Sequence, residues 1–177
     1  AGVPFESGQS KILGNGIPLM HADIQVRKAI PSDADHITEL YRQLVNDTAI
    51  HVEPEQVARM ADDARTRLFV GEYSGAVQAT ALVAVCYDAM YRRQPFAVVE
   101  NVVVDIAVRK CGLGSALFQQ IEKFCLEADC SKIMLLSSSQ RTDAHQFFER
   151  LGFTGSAKRG FVKYRSALKQ PYQNSPK

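Results

Sequence analysis

The 177-residue chain lacks the features that mark several broad classes of protein. It contains no uninterrupted apolar run near the roughly 18 residues that a membrane-spanning helix needs. Its formal net charge is only +2, so no extended basic face is predicted, and nucleic acid is disfavoured as a partner. The first 20 residues have neither the basic start nor the apolar core of a secretory signal. Neither membrane nor nucleic acid is therefore expected as a partner.

The four cysteines are also too irregularly spaced to suggest a metal site. None belongs to a Cys-x-x-Cys pair, so no zinc centre is predicted. Cys111 lies at a predicted helix start, which favours the thiolate, and two interpretations stay open: a reactive thiol, or a residue that contributes only its backbone amide. The cysteine usage as a whole is typical of the reducing cytoplasm.

What the chain does contain suits one globular domain. Apolar residues make up 46% of the sequence and charged residues 23%, which is ordinary for a domain with a substantial core. Residues 1–20 are rich in Gly, Pro and Ser, and we expect a flexible leader or an expression remnant there, with Met20 as a candidate natural start. The domain is predicted over residues 21–168, and a polar tail over residues 169–177.

Hydrophobic periodicity predicts an element order of β, α, α, β, β, β, α, β, α, β. Ser74-Gly75 separates two apolar runs and predicts a hairpin turn, while Ser32 and Thr142 are the expected helix caps. Strands are predicted over residues 24–29, 68–73, 77–87, 98–108, 132–137 and 160–166. Helices are predicted from residue 31, over 53–67, over 116–128 and over 141–151.

The most informative segment is residues 109–115, Arg-Lys-Cys-Gly-Leu-Gly-Ser. It lies between the predicted strand 98–108 and the predicted helix 116–128. The first amides of a helix have no internal partner and carry the positive end of the helix dipole. Glycines let the backbone approach a phosphate closely, and Arg109 and Lys110 add two positive charges. This arrangement predicts a binding site for a pyrophosphate.

Two well-known phosphate loops do not fit the segment. A Walker loop requires Gly-x-x-x-x-Gly-Lys followed by Ser or Thr, and that order is absent here. A dinucleotide loop requires Gly-x-Gly-x-x-Gly, but the third glycine position is occupied by Leu117.

A third pattern does fit. Arg109, Gly112 and Gly114 resemble the acyl-CoA pyrophosphate loop of the GNAT superfamily of N-acetyltransferases, whose signature is Gln/Arg-x-x-Gly-x-Gly/Ala. Residues 99–105 resemble the central strand of that family, and residues 143–153 resemble its closing helix, Ala-x-x-Phe-Tyr-x-x-x-Gly-Phe. The resemblance covers roughly residues 24–164. Within the family, the Asp-Ala-His segment that opens the closing helix is similar to small-molecule amine acetyltransferases, including aminoalkylphosphonate acetyltransferases.

The resemblance implies an α/β fold. The expected sheet is GNAT-like and mixed, mostly antiparallel, flanked by helices, with a parallel pair of strands around the CoA-binding helix. The implied cosubstrate is acetyl-CoA, and the central strand is expected to be distorted so that its backbone groups meet the thioester and the pantetheine arm. The residues that the resemblance implies for cofactor binding are Val102, Val103, Val104, Arg109, Lys110, Cys111, Gly112, Leu113, Gly114, Ser115, Arg141 and Phe148.

The implied reaction is attack of an amine on a thioester, and the amine must first lose a proton. A primary amine with a pKa near 10.4 is neutral in only about one molecule in 2,500 at pH 7, a handicap of roughly 4.6 kcal/mol. Glu100 is the leading candidate base, because burial beside the central strand would raise its pKa. The alternative is a structural glutamate paired with Arg or Lys. His51 is the second candidate, with an exposed loop histidine as its alternative.

Two departures from the family pattern affect the chemistry. The family often places tyrosine second in the Phe-Tyr pair, where its hydroxyl can protonate the leaving thiolate, but this chain has Phe148 there. Tyr164, Tyr87, Tyr91 or water could take that role. Arg141 stands where many members carry asparagine, and either it reaches an anionic group of CoA or substrate, or it is a solvated residue at the helix start.

Three functions follow from the resemblance. The first is acetylation of a primary amine on a small molecule, the second a CoA-binding sensor without efficient turnover, and the third acetylation of protein amines. Loops 46–53 and 87–94 are expected to shape the acceptor site. Their acidic residues suit a cationic amine, whereas Arg92 and Arg93 suit a substrate with a phosphonate or carboxylate. The resemblance also implies a homodimer, which members of the family commonly form.

Overall fold

The computed structural model describes residues 23–45 and 47–168. The predicted leader and tail lie outside these residues. Five strands are β1 (Ile24–Lys28), β2 (Thr66–Tyr73), β3 (Ala76–Cys86), β4 (Phe96–Val104) and β5 (Ile133–Leu135). Four α-helices are α1 (Ala34–Val45), α2 (Pro54–Asp62), α3 (Leu113–Glu127) and α4 (Thr142–Arg150). None of the described helices is long and apolar enough to cross a membrane.

The five strands form one mixed sheet in the order β1-β2-β3-β4-β5. The first four are antiparallel neighbours, and β5 runs parallel to β4 with Ala97 opposite Ile133. This confirms the predicted mixed, mostly antiparallel sheet with a parallel pair around α3. The β2–β3 hairpin turns at Ser74 and Gly75, which both adopt positive φ (52° and 81°) as the tight hairpin turn requires.

Helices cover both faces of the sheet. On one side, which we call the α3 face, Leu117, Phe118 and Ile121 of α3 are fully buried against apolar residues of β2, β3 and β4. On the other, which we call the α1 face, Ile37 of α1 and Val57 of α2 are buried. Alternate residues of a strand point to opposite faces, so the nearly continuous apolar runs of the central strands follow from this double cover.

Gly71 on β2 sets how closely α3 approaches the sheet. A Cβ atom at this position would lie only 2.9 Å from Cδ1 of Leu113, the first residue of α3. Leu113 is itself 1% exposed. The start of α3 therefore rests directly on the backbone of β2.

Several predicted boundaries are wrong. The second helix ends at Asp62 instead of residue 67, because the Asp63 carboxylate accepts the N–H groups of Arg65 and Thr66 and turns the chain into β2. The third helix begins three residues earlier than expected, at Leu113.

The expected helix caps are wrong as well. Asp33, and not Ser32, accepts the Ile30 N–H at the first turn, at 2.8 Å. Thr142 is the first residue of α4 rather than its cap. The predicted end of that helix is confirmed, since Gly152 follows it with a φ of 88°.

The strand expected over residues 160–166 does not form. β5 has only three residues, so it offers a short edge for pairing. Phe161 and Val162 are instead 86% and 62% exposed, and a short 3₁₀ turn spans Arg165–Ala167.

Candidate active site

The loop after β4 is anchored by Asp105. Its carboxylate accepts the Ala107 N–H at 2.8 Å and the Gln43 side-chain amide at 3.0 Å. Gln43 returns a bond, since its Oε1 atom accepts the Ile106 N–H at 3.3 Å. These hydrogen bonds lower the pKa of Asp105, the one from Ala107 most strongly. These reciprocal hydrogen bonds tie the loop to α1.

The segment that follows leaves backbone N–H groups without an intramolecular partner. Lys110 and Gly112 adopt positive φ (67° and 97°), and Gly112 is the N-cap residue that immediately precedes α3. The Ala116 N–H bonds to the Gly112 carbonyl at 3.0 Å. Within the described part of the chain, the N–H groups of residues 113–115 have no hydrogen-bond partner. Free amides at a helix start are what an anionic ligand requires.

Gly114 lies where two helices meet. A Cβ atom here would lie 3.1 Å from Cζ of Phe147 on α4, tighter than most such contacts. The glycine therefore allows α4 to pack against the first turn of α3. This close packing explains why Gly114 belongs to the helix, although sequence alone placed it in the loop.

The central strand is distorted at Asn101, which has a φ of 55°. Thr80 of β3 pairs with Val103 and Leu82 pairs with Glu100, so Asn101 and Val102 form a bulge opposite a single residue. Beyond this point β5 no longer pairs with β4, because their ladder covers only residues 97–99 of β4. A gap thus opens between the two strands beside Val102, Val103 and Val104.

Tyr41 supports this bulge from α1. Its phenol makes polar contacts with the side chains of Thr80 and Asn101. Burial raises the pKa of Tyr41 to about 12, and these contacts only partly oppose this rise. Sequence reasoning did not predict these contacts.

A groove of about 1,290 Å³ runs along β4, β5 and α4. Glu100, His145 and Phe148 line it, together with the chain that follows α4. Glu100 is exposed, so the burial expected beside the central strand is not found. His145 Nε2 donates to the Ser138 carbonyl at 2.9 Å. This hydrogen bond holds the imidazole ring against the loop between β5 and α4.

The structure does not bring the other candidate catalytic groups to this groove. His51 Nε2 lies 3.4 Å from the Glu53 carboxylate, and both side chains are more than half exposed. Tyr164 is 73% exposed and does not line the groove.

Arg141 and Phe148 make structural contacts. The Arg141 guanidinium donates to the Leu44 carbonyl and so joins the start of α4 to the end of α1. Arg141 is exposed immediately before α4, so both interpretations considered for it stay open. Phe148 packs edge-on against Phe118 and Phe153, with ring centroids 5.7 and 6.0 Å apart.

Sequence reasoning missed Gln43 and Asn101. Gln43 lies on an exposed part of α1, and no local signal marks its bond to a residue 62 positions away. For Asn101 the only available signal is the tolerance of asparagine for positive φ.

Comparison with known proteins identifies the family. Residues 35–153 match the model of the acetyltransferase (GNAT) family. No curated protein sequence matches the chain. Among solved structures, a provisionally named acetyltransferase from Agrobacterium tumefaciens str. C58 superposes with a TM-score of 0.72 and 28% identity, covering 80% of this chain and 99% of the other.

Two further structures share the fold. Glucosamine-6-phosphate N-acetyltransferase from Arabidopsis thaliana gives a TM-score of 0.68 at 24% identity, over 81% of this chain and 99% of the other. Aminoglycoside N-acetyltransferase AAC(6')-Iy, solved in complex with CoA, gives 0.69 at 15% identity, over 87% and 99%. The chain therefore belongs to the GNAT acetyltransferase family and is an N-acetyltransferase that uses acetyl-CoA.

Proposed function

We propose that this enzyme transfers the acetyl group to the primary amine of a small molecule, by direct attack in a ternary complex. The observation that carries the proposal is the set of free N–H groups at residues 113–115, beside a strand gap that leads to the groove containing Glu100. The free N–H groups suit the pyrophosphate of the cosubstrate, and the groove suits the acceptor amine.

The fit of the cosubstrate to these residues rests on two glycines. Gly112 has a φ that disfavours other residues, and a side chain at Gly114 would crowd the Phe147 ring. The amides of residues 113–115 would bind the pyrophosphate, with Arg109 and Lys110 adding charge. The pantetheine arm would lie in the gap beside Val102, Val103 and Val104.

Arg109 also stabilises the loop. Its Nε atom donates to the Val104 carbonyl at 3.3 Å, a bond that bends the side chain back over the end of β4. Cys111 is half-buried against the α3-face core, which supports the interpretation that its backbone amide is what matters.

Glu100 is the proposed base. It immediately precedes the bulge and is exposed in the groove, so a water molecule could pass the ammonium proton to its carboxylate. Exposure makes proton transfer through water the natural arrangement. His51 remains the second candidate, on the loop expected to face the acceptor.

The leaving thiolate has no proton donor at Phe148, which is packed among other aromatic rings. Water in the open groove is the proposed donor, with Tyr164 as the alternative. The same observation favours a second candidate function, a CoA-binding sensor with weak turnover.

The acceptor is proposed to be a small amine, as in two neighbours whose names specify an amino sugar phosphate and an aminoglycoside. Loops 47–53 and 87–94 carry both acidic and basic residues, so a cationic amine and an amine with an anionic group both stay open. The resemblance to aminoalkylphosphonate acetyltransferases stays a prediction. A domain over residues 21–168, a cytoplasmic location, and a homodimer are also proposed.

The loop assignment is tested with Gly112→Glu. We expect the affinity for acetyl-CoA, measured by calorimetry, to fall by about 100-fold or more, because the new carboxylate repels the pyrophosphate. Gly75→Glu is the matched control, since Gly75 also has positive φ and lies in the β2–β3 hairpin, outside the loop 109–115. Unchanged affinity in Gly112→Glu would show that CoA binds elsewhere.

The base assignment is tested with Glu100→Gln in an assay of thiol release with a panel of amines. We expect kcat/KM to fall by about 100-fold with acetyl-CoA affinity unchanged. Glu149→Gln is the control, because Glu149 lines the same groove. Full activity of Glu100→Gln at every pH would remove Glu100 from the mechanism.

The same assay separates the candidate functions. Tight acetyl-CoA binding without turnover of any amine would favour the sensor. Turnover restricted to peptides would favour protein acetylation.

A further inference from the structure

A second cleft lies on the α3 face, across α3 from the groove, where β1 and β2 meet the C-terminal half of that helix. Its volume is about 280 Å³. That size is at the lower end of the range of about 300–1,000 Å³ usual for ligand sites, so it suits a ligand no larger than a small metabolite. The cleft is lined by Arg27, Lys28, Arg67, Phe69, Gln120, Lys123, Phe124 and Glu127.

The topology brings two of its cations, Lys28 and Arg67, to one face of the sheet. Lys28 is directly opposite Phe69 in the β1–β2 ladder, and Arg67 lies two residues before Phe69 on β2. Residues that pair directly, or that are two apart on a strand, share a face. Phe69 belongs to the α3-face core, so Lys28 and Arg67 project toward α3.

α3 completes the cleft with a polar face. Gln120, Lys123, Phe124 and Glu127 are spaced three or four residues apart, so they lie along one side of the helix. Lys123 is about 15 Å along the axis from Leu113, from ten residues at 1.5 Å each. A ligand in this cleft is therefore separate from one bound at the loop 109–115.

The charges of the cleft are unbalanced. Arg27 is already occupied, because it donates to Asp33 and Glu72 at 2.7 and 2.8 Å. Lys28, Arg67 and Lys123 form no ion pair with any described residue. Three cations thus converge on a space whose own lining contains one carboxylate, Glu127.

One cation is also held in place without a counter-ion. The Arg67 guanidinium lies over the Phe124 ring at 5.0 Å from its centroid. Stacking on an aromatic ring fixes the plane of the guanidinium and leaves its outer N–H groups free to donate. An ordered arginine between two lysines matches the several acceptor oxygens of a phosphate.

We propose that this cleft binds a small dianionic phosphate, either inorganic phosphate or the phosphate group of a small monoester. Arg67 is the oriented donor, Lys28 and Lys123 supply the balancing charge, and the Gln120 amide is a fourth donor. The site is independent of the acyl-transfer reaction and of the loop that binds CoA.

The test is a titration of the full chain with inorganic phosphate at constant ionic strength and pH 7.5, followed by amide NMR. We expect saturable shifts at residues 28, 67–69 and 120–127, distinct from any shifts at residues 109–115. This separation keeps the outcome independent of the CoA assignment. Shifts confined to 109–115, or no saturation at the cleft, would overturn the proposal.

Two variants sharpen the test. In Lys28→Gln/Lys123→Gln the cleft affinity for phosphate should fall by about tenfold or more, because two of three cations are lost. Both side chains are exposed, so the fold should survive, and the unchanged dispersion of the NMR spectrum checks this. Lys163→Gln/Arg165→Gln removes the same charge from an exposed segment outside the cleft and should bind phosphate as the parent does. Equal weakening in both double variants would contradict a specific site.

Two further titrations identify the source and charge of the ligand. Glycerol 3-phosphate that binds more tightly than inorganic phosphate would assign the site to monoesters, and the reverse would assign it to the free ion. Acetate that binds as tightly as phosphate would overturn the claim that the cleft selects a dianion.

Discussion

The two faces of the sheet are stabilised in different ways. On the α3 face the buried residues are all apolar or cysteine, and the Phe118 ring packs edge-on against Phe147, Phe148 and Phe153. The three buried polar residues of the described chain, Asp33, Thr38 and Thr80, belong to the α1 side.

This difference indicates that one face of the sheet mainly stabilises the fold and the other mainly positions the active site. Apolar burial is strong but non-directional, so the α3 face supplies stability. Hydrogen bonds are weaker and directional, so the α1 face determines geometry. Gln43 and Tyr41, which contact the active-site loop and the strand bulge, both belong to α1. The α1 face thus positions a site whose binding amides are provided by α3.

The largest effect on stability is expected from Phe118→Ala on the α3 face. Phe118 is fully buried and touches three aromatic rings, so its loss should cost about 3–5 kcal/mol of unfolding free energy. Urea denaturation measures this cost. Phe161→Ala, at an 86% exposed position, should change stability by less than about 0.5 kcal/mol. A small loss at Phe118 would show that the apolar face is not the main source of stability.

The next largest effect is expected from Asp33→Asn on the α1 face. Burial alone would raise the pKa of Asp33, but the hydrogen bonds from Arg27 and the Ile30 N–H outweigh it and lower the pKa below its usual 3.8. Removing the carboxylate should cost about 2–3 kcal/mol at pH 7, since it leaves Arg27 half-paired.

The pH dependence of this loss follows from the lowered pKa. The stability that Asp33 contributes is present above its ordinary pKa and is lost as pH falls through the lower value of the folded state. The parent and Asp33→Asn should therefore converge in stability as the solution becomes more acidic than pH 4, about the unfolded pKa. Asp35→Asn, at an exposed position two residues later in α1, is the control. A constant difference from pH 7 to pH 2 would contradict the assignment.

A smaller effect is expected from Thr38→Val, which keeps the shape of the side chain and removes its hydroxyl. The Thr38 oxygen accepts the Val52 N–H and donates to the Ala34 carbonyl, both at 2.9 Å. The substitution should cost about 1–2 kcal/mol, because a half-buried amide loses its partner. Hydrogen exchange at Val52 should accelerate, while Thr38→Ser should retain protection. Unchanged exchange in Thr38→Val would mean that the hydroxyl does not hold the loop.

The smallest effect on stability is expected from Tyr41→Phe, at about 1 kcal/mol or less. Its main consequence should be local, as a shift of the Asn101 and Val102 amide resonances where the phenol supports the bulge. Tyr73→Phe removes a hydroxyl from the α3 face and should leave those resonances unchanged. If both variants shift them equally, the bulge does not depend on the α1 face.

The features predicted correctly from sequence are local ones. The Ser74-Gly75 turn, the glycine at the start of α3 and the stop at Gly152 all depend on positive φ, which a few residues specify on their own. The mixed sheet followed from the family resemblance that these residues and their flanks support.

The features predicted wrongly depend on distant partners. The strand expected over residues 160–166 needed an edge that the three-residue β5 does not provide. The exposure of Glu100 depends on where β5 ends, and the contact between Gln43 and Asp105 joins positions 62 residues apart. The residues next to Glu100 and Gln43 in the sequence predict neither this exposure nor this contact.

Gly71 makes the binding loop sensitive to a position that faces no ligand. Because the Leu113 side chain, on the first residue of α3, packs on this glycine, a single added methyl group would displace that side chain. Any shift of the first turn of α3 that accompanies this displacement would also move the free amides at residues 113–115. Cosubstrate affinity therefore depends on the size of the residue at position 71, which lies beneath the site.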